Sequence, residues 1–450
     1  MNNENVDFDL IFVAERAIVD GREQAVAVGV RDGFITAVES GAAPAHWSGE
    51  RIELASDEVL LPGMVDTHVH VNEPGRTDWE GFASATSAAL TGGTTTLLDM
   101  PLNSLPPTTT VEALRIKQDA ARGQCRMDVG FWGGAIPGNI EDLRPLHEAG
   151  VFGFKCFLID SGVPEFPPLS PDELLAYMER LAELGALMIV HAEDPDVIAA
   201  APALGGRKYS DFVASRPDAS EVSAIATVID AVRRTGARAH ILHLSSAAAL
   251  PQLRAAKAEG LPITVETCPH YLTFAAETIR DGSTAHKCCP PIRGEANRTQ
   301  LWEALLDGTI DIVVSDHSPC TIDLKQLATG DLGTAWGGVA SVEVALRAVW
   351  TGAQEREISL AQVVQWMSAT PAKIAGVRGK GVIEVGGWAD LVTFAPDETV
   401  TIDAQQLHHK NKLTAYDGVT LRGAARRVWL SGEEAGTSRA AGRFIDPTPV

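Results

Sequence analysis

The strongest constraint on this chain is a series of eight short apolar segments between about residues 60 and 320, each separated from the next by a helical pattern. The segments are VLLPGMVDTHVH, TTTLLDM, RMDVGFWGG, GVFGFKCFL, ALMIVHAED, AHILHLSS, PITVETCPHYL and IDIVVSDHSPC. Between them lie amphipathic stretches such as WEGFASATSAAL, VEALRIKQDAAR, DELLAYMERLAEL, SEVSAIATVIDAVRR and RTQLWEALLDG. Apolar strands alternating with helices signal βαβ units and a parallel sheet covered on both faces. Eight such units are the number that closes a (β/α)8 barrel. The rival arrangement is a doubly wound open sheet, but no GxGxxG turn follows any of these strands. The pattern therefore predicts a TIM-like barrel over residues 61–377.

The flanks have a different texture. DLIFVAERAIVDG, AVAVGVRDGFITAVES and RIELASDEVLLPG at one end, and GKGVIEVGGWADLVTFAPDETVTI and GVTLRGAARRVWLSG at the other, show strand alternation broken by turn glycines. One economical arrangement has both termini, residues 1–60 plus 378–450, building a single small β-sandwich beside the barrel.

Composition narrows the function. The chain has 450 residues, 45% hydrophobic and 21% charged, which excludes general disorder. A formal net charge of −22 argues against a nucleic-acid partner and against an anionic membrane surface. The start, MNNENVDFDL, has neither the basic nor the apolar region of a secretory signal, and no apolar stretch is long enough to span a bilayer. The six cysteines (Cys125, Cys156, Cys268, Cys288, Cys289 and Cys320) are scattered without CxxC spacing, as expected for reduced thiols in the cytoplasm.

In barrels of this kind the chemistry sits at the C-terminal ends of the strands. Here those ends carry His68 and His70, whose period-two spacing puts both imidazoles on one face, then His191, His243 and Asp316. One histidine at a strand end is usually structural; four with an aspartate at the same end of different strands form a metal-ligand pattern. Lys155, in the apolar run GFKCF, leaves two readings open. It snorkels to the barrel rim, or burial lowers its pKa so that the neutral amine takes up CO2 as a carbamate whose two oxygens bridge two cations.

VDTHVHVNEPGRTDWEGF, the Lys155 strand, His191, His243 and SDHSPC resemble the cyclic amidohydrolases of the amidohydrolase superfamily over essentially the whole chain. GGTTTLLDMPLNSLPPTTT, KCFLIDSGVPEFPPLS and AWGGVASVE are most similar to the allantoinase branch of that group. The resemblance implies a binuclear centre. His68 and His70 would bind the more buried ion and His191 and His243 the more exposed one, with N6-carboxylated Lys155 between them. Asp316 would contact the first ion and move protons. It further implies two divalent metals, zinc foremost although imidazole and carboxylate ligands suit several ions, and a homotetramer. The implied reaction is hydrolysis of the cyclic amide of allantoin to allantoate by a hydroxide bridging the metals, water's pKa of about 15.7 falling to near 7 on such ions.

Substrate contacts are expected at Asn72, Cys289, Arg293, His317 and Gly338. Asn72 stands where dihydroorotases carry an arginine, and Cys289 where relatives of the group commonly carry serine. Asn72 can equally form a turn, and Arg293 can equally pair with a carboxylate. Glu73 is either behind a metal ligand, the favoured reading, or a loop residue; His408 and His409 are expected on the surface, and His270 and His286 near the barrel mouth in either a functional or a structural role. Trp79, Trp132 and Trp336 are packing residues by default, Trp336 also being a candidate for the pocket wall. Two alternatives remain: a hydantoinase or dihydropyrimidinase with the same centre, and a non-catalytic oligomeric scaffold, which would lack the ligand residues present here.

Overall fold

The computed structural model describes residues 6–436 and 442–447. The extreme ends of the terminal unit expected at 1–60 plus 378–450 therefore lie outside the described residues. Strands β1 (Val6–Val19), β2 (Arg22–Arg31), β3 (Phe34–Ser40), β4 (Trp47–Glu53) and β5 (Val59–Pro62) precede the barrel. Barrel strands follow as β6 (Met64–Val69), β7 (Thr94–Asp99), β8 (Asp128–Phe131), β9 (Gly133–Gly134), β10 (Phe154–Phe157), β11 (Leu187–His191), β12 (Arg238–Ile241), β13 (Ile263–Thr267) and β14 (Ile312–Val313). The chain then returns as β15 (Leu391–Thr401), β16 (Thr420–Leu430) and β17 (Glu433–Glu434).

The parallel ladder runs β6-β7-β8 and then β9 through β14 in chain order. β8 and β9 are two halves of one barrel strand interrupted at Trp132. β8 pairs with β7 while β9 pairs with β10, and Trp132 N donates to Asp99 O at 3.0 Å across the break. The circle closes where Val69 forms a parallel bridge with His317 and His70 N donates to the His317 carbonyl at 2.8 Å. Counting β8 and β9 together gives eight strands, the number expected, and the fold is a (β/α)8 barrel with a β-rich unit. Every residue of β6, β7, β8, β10 and β11 is buried, because helices cover one side of each strand and the barrel interior the other. That is why these segments read as continuous apolar runs. β14 is short: the regular ladder ends before Asp316, whose φ of 45° lies in the left-handed region that Asp and Asn tolerate best.

Both ends of the chain share one sheet. β15 pairs antiparallel with β5, Leu391 opposite Pro62, so the order is β17-β16-β15-β5-β1-β2-β3. The sheet forks at β1, whose first half pairs with β4 and whose Ala17 pairs with β5. Phe12, Val28, Leu60, Leu391 and Trp429 pack together on one face, each large side chain contributing roughly 1.5–3 kcal/mol. Lys380 fastens this sheet to the barrel: its buried ammonium lies 2.7 Å from Asp128 of β8 and also contacts Asp390 beside β15.

Helix ends follow local rules. At the helix Pro171–Leu184, Ser170 Oγ accepts from Glu173 N at 3.3 Å while the Glu173 carboxylate accepts from Ser170 N at 2.9 Å, a reciprocal capping box. Ser170→Ala should lower stability by about 1 kcal/mol. A urea melt of the variant that overlays the wild type would show that the box adds nothing net.

Candidate metal centre

The sequence brings its histidines together by barrel geometry. His68 lies within β6 and His70 just after it, His191 ends β11, and His243 follows β12 by two residues. Lys155 is the second residue of β10, and Asp316 follows β14. His68 Nε2 lies 3.2 Å and His70 Nε2 3.8 Å from Asp316 Oδ1. One ligand atom from each of these three residues falls within 4.8 Å of the others. The His243 ring centre is 5.5 Å from that of His68 and 4.5 Å from that of His191. All six groups line one cavity of about 370 Å³.

A layer of carboxylates orients these rings. Glu266 Oε1 accepts from His68 Nδ1 at 2.5 Å and from the His243 backbone N at 3.0 Å, while its Oε2 faces His240 Nε2 at 3.0 Å. With Nδ1 of His68 committed, the Nε2 lone pair is left for a ligand. Glu193 plays the same part for His191, at 2.8 Å from Nε2, and the His191 ring stacks on Phe157. Burial alone would push both carboxyls up; instead Glu266 is drawn down to about 2 by His68 and His240, and Glu193 to about 2 by Arg216 and His191.

The donor set fits a metal. His68 Nε2, His70 Nδ1 and His243 Nδ1 are buried without hydrogen-bond partners. Each such orphan costs roughly 1–3 kcal/mol, and a cation seated between His68 Nε2 and Asp316 would remove the first of these. Burial holds His70 and His243 well below the usual imidazole range, keeping them in the neutral form that ligates. Burial likewise lowers Lys155, 1% exposed, to about 8 despite the opposing pull of Asp316 and Glu266, and raises the Asp316 carboxyl. Cys268 and His270 also approach Asp316 closely. Neither lines the cavity, and burial drives the Cys268 thiol well above its ordinary value, away from the thiolate a metal needs. A second cleft, of about 540 Å³, opens beside β16, but its Arg426 and Arg427 are already paired with Asp57, Glu398 and Glu434.

The expected substrate contacts divide. Cys289 and Gly338 line the cavity. Gly338, at φ 123°, must be glycine, since a Cβ there would sit 2.2 Å from the Ser318 carbonyl oxygen. Asn72 does not line it: with φ 66°, it donates to Pro319 O at 3.3 Å and accepts from Asn103 at 3.1 Å, so Asn103 faces the cavity in its place. Arg293 is spent on Glu221 at 2.7 Å and Asp218 at 3.0 Å. His317 is a framework residue, its Nδ1 accepting from Ser341 N at 3.0 Å and its Nε2 facing Glu80 at 3.3 Å. Glu73 caps the helix Phe82–Thr91 through Phe82 N at 2.9 Å and stands behind no ligand. His408 is exposed as expected, but His409 is buried against the His317 ring. His270 and His286 stay off the cavity wall, whereas Trp336 is on it.

Sequence reasoning missed Glu266, His240, Asn103, Arg216 and Lys287. Glu266 had a legible signal, a carboxylate inside the apolar run PITVETC, the same anomaly that marks Lys155. Arg216 had none, since only folding brings the loop after the helix Tyr209–Ser215 to the barrel mouth.

A barrel with buried imidazoles, a carboxylate and a buried lysine lining one cavity belongs to the class of metal-dependent hydrolases. The chain belongs to the amidohydrolase family, matching its model over residues 59–435. It is 54% identical to an allantoinase from Streptomyces avermitilis over 443 residues, 98% of each chain. It is 49% identical to an allantoinase from Saccharomyces cerevisiae over 388 residues, 85% of this chain and 84% of that one. Its backbone resembles that of an L-hydantoinase (dihydropyrimidinase) from Arthrobacter aurescens with a TM-score of 0.91 at 28% identity, covering 98% of this chain and 100% of that chain.

Proposed function

We propose that this enzyme hydrolyses the hydantoin-ring amide of allantoin to give allantoate. The observation that carries the reading is the convergence of His68, His70, Lys155, His191, His243 and Asp316 on one cavity. The relatives at 54% and 49% identity supply the substrate class. Those six side chains would hold two divalent cations, zinc foremost, with Lys155 as the carbamate; its burial and lowered pKa favour the neutral amine that adds CO2. When bound, such ions make water ionisable near pH 7 and polarise a carbonyl oxygen.

The chain's own groups do the rest. Asp316 takes the proton of the attacking water and delivers it to the departing ring nitrogen. Glu266 and Glu193 hold His68 and His191 in the tautomers that ligation needs. Phe157, Leu102 and Trp336 give the ring an apolar wall, while Asn103, Ser318 and Arg216 offer polar groups to its substituents.

The L-hydantoinase likeness favours one other reading, hydantoin or dihydropyrimidine hydrolysis. That group usually holds the oxyanion with a tyrosine after the bridging-lysine strand, and here Leu158-Ile159-Asp160-Ser161-Gly162 has none. A panel of allantoin, dihydrouracil, hydantoin and dihydroorotate, run on metal-reconstituted enzyme with bicarbonate, should show allantoin cut fastest, and chelation should abolish turnover. Faster cleavage of dihydrouracil would overturn the assignment. The proposal extends to a division into residues 1–60 plus 378–450 and 61–377, to a homotetramer and to a cytoplasmic location. Among the described residues no helix is long and apolar enough to cross a membrane.

A further inference from the structure

We infer that Arg216 is a specificity-determining residue that reads the exocyclic arm of the ring substrate, its Nη1 donating to a carbonyl oxygen on that arm. The inference rests on the ring-opening reading above and adds how the site tells a ring bearing a ureido arm from a bare ring.

Three observations support it. Arg216 lines the same cavity as the metal-ligand set, with 17% of its side chain exposed there. Its guanidinium is immobilised on one edge only: Nε donates to Glu193 Oε1 at 2.9 Å and Nη2 to Glu193 Oε2 at 2.6 Å, a fork that fixes the plane of the group. Nη1 has no partner among the described residues, so its two N–H donors remain for a ligand. Of the other basic side chains on the wall, Lys155 belongs to the ligand set and Lys287 is committed to the Ala335 carbonyl at 2.5 Å.

Position also matters. Glu193 bonds His191 on its other side at 2.8 Å, so Arg216 is one carboxylate removed from a metal-ligand ring. A substituent on the ring carbon next to the attacked carbonyl projects from the reacting bond into the same cavity that Arg216 lines. A ureido group presents a carbonyl oxygen, the acceptor that a fixed guanidinium N–H takes well, whereas a hydrogen or an alkyl arm offers those donors no partner. Sites built around a buried donor reject ligands that lack the acceptor.

Arg216 also steadies His191 through Glu193, so its removal lowers activity on any ring. The test is therefore a ratio. kcat/KM for allantoin is compared with kcat/KM, or the competitive inhibition constant, for unsubstituted hydantoin, in wild type, Arg216→Lys, Arg216→Gln and Glu193→Gln, each with metal content measured. Effects relayed through His191 act on both ligands and cancel. The two Arg216 variants should lower the preference for allantoin by about 10- to 100-fold, the loss of one charge-assisted hydrogen bond. Glu193→Gln should depress both ligands more nearly together. Equal losses on both ligands in the Arg216 variants would overturn the inference and leave the ring-opening reading intact. A wild type that does not open allantoin would overturn that reading itself. If neither variant folds, the wild type decides: a hydantoin with an alkyl arm of ureido length should bind about 10- to 100-fold more weakly than allantoin, and equal binding would sink the idea.

Discussion

Asp316→Asn should retain bound metal yet lose turnover by at least about 10²- to 10⁴-fold, the usual worth of a positioned acid–base group. Asparagine is the informative substitution for two reasons. Asp316 sits at φ 45°, where Asn is nearly as comfortable as Asp, so the barrel mouth keeps its shape. The amide oxygen still faces His68 and His70, whose Nε2 atoms lie 3.2 and 3.8 Å from Oδ1, but it cannot accept and return a proton. Burial raises the Asp316 carboxyl, bringing its proton affinity closer to that of a group working near neutral pH. Metal analysis beside steady-state kinetics checks the prediction. Near-normal turnover in a variant that keeps its metal would remove Asp316 from the proton-transfer role.

Glu266→Ala should damage both stability and metal binding, because one carboxylate serves three buried donors. It takes His68 Nδ1 at 2.5 Å, His240 Nε2 at 3.0 Å and the His243 backbone N–H at 3.0 Å. Breaking a buried pair typically costs about 3–5 kcal/mol, since the groups left behind stay desolvated and unpaired. Loss of the partner that orients a ligand imidazole typically weakens metal binding by about 10- to 100-fold. Glu266→Gln retains the shape and one acceptor, so it should fall between alanine and wild type. Denaturant melts and competitive metal titrations measure the two effects separately. Wild-type values in both would show that the imidazoles hold their orientation without Glu266.

The contrast between these two residues shows what a sequence exposes. Asp316 is legible because it lies in SDHSPC at the end of an apolar run, where a barrel puts its chemistry. His68 and His70 are legible by the two-residue period of a strand, and Lys155 by the expense of an ammonium in an apolar segment. Substrate contacts were not legible to the same degree. Asn72, Arg293 and His317 have the right chemistry and stand near the right motifs, yet each is consumed by a neighbour. Nothing local distinguishes an arginine paired with Glu221 and Asp218 from one that faces a ligand.

Arg216 and Asn103 are the converse case. Arg216 lies on a loop without a motif and Asn103 within GGTTTLLDMPLNSLPPTTT, where nothing local marks it, and each reaches the cavity wall through a partner distant in the chain: Arg216 through Glu193, Asn103 through Asn72. Sequence by itself determined the alternation of strand and helix, the eight barrel units and the six side chains that meet in one cavity. Hydrophobic periodicity and strand pleat are short-range properties written residue by residue. Tertiary structure alone decided which polar side chains face the cavity and which are spent on the framework. That choice depends on which donors and acceptors meet after long loops close, and burial then fixes each pairing because an unpaired polar group in the interior is costly.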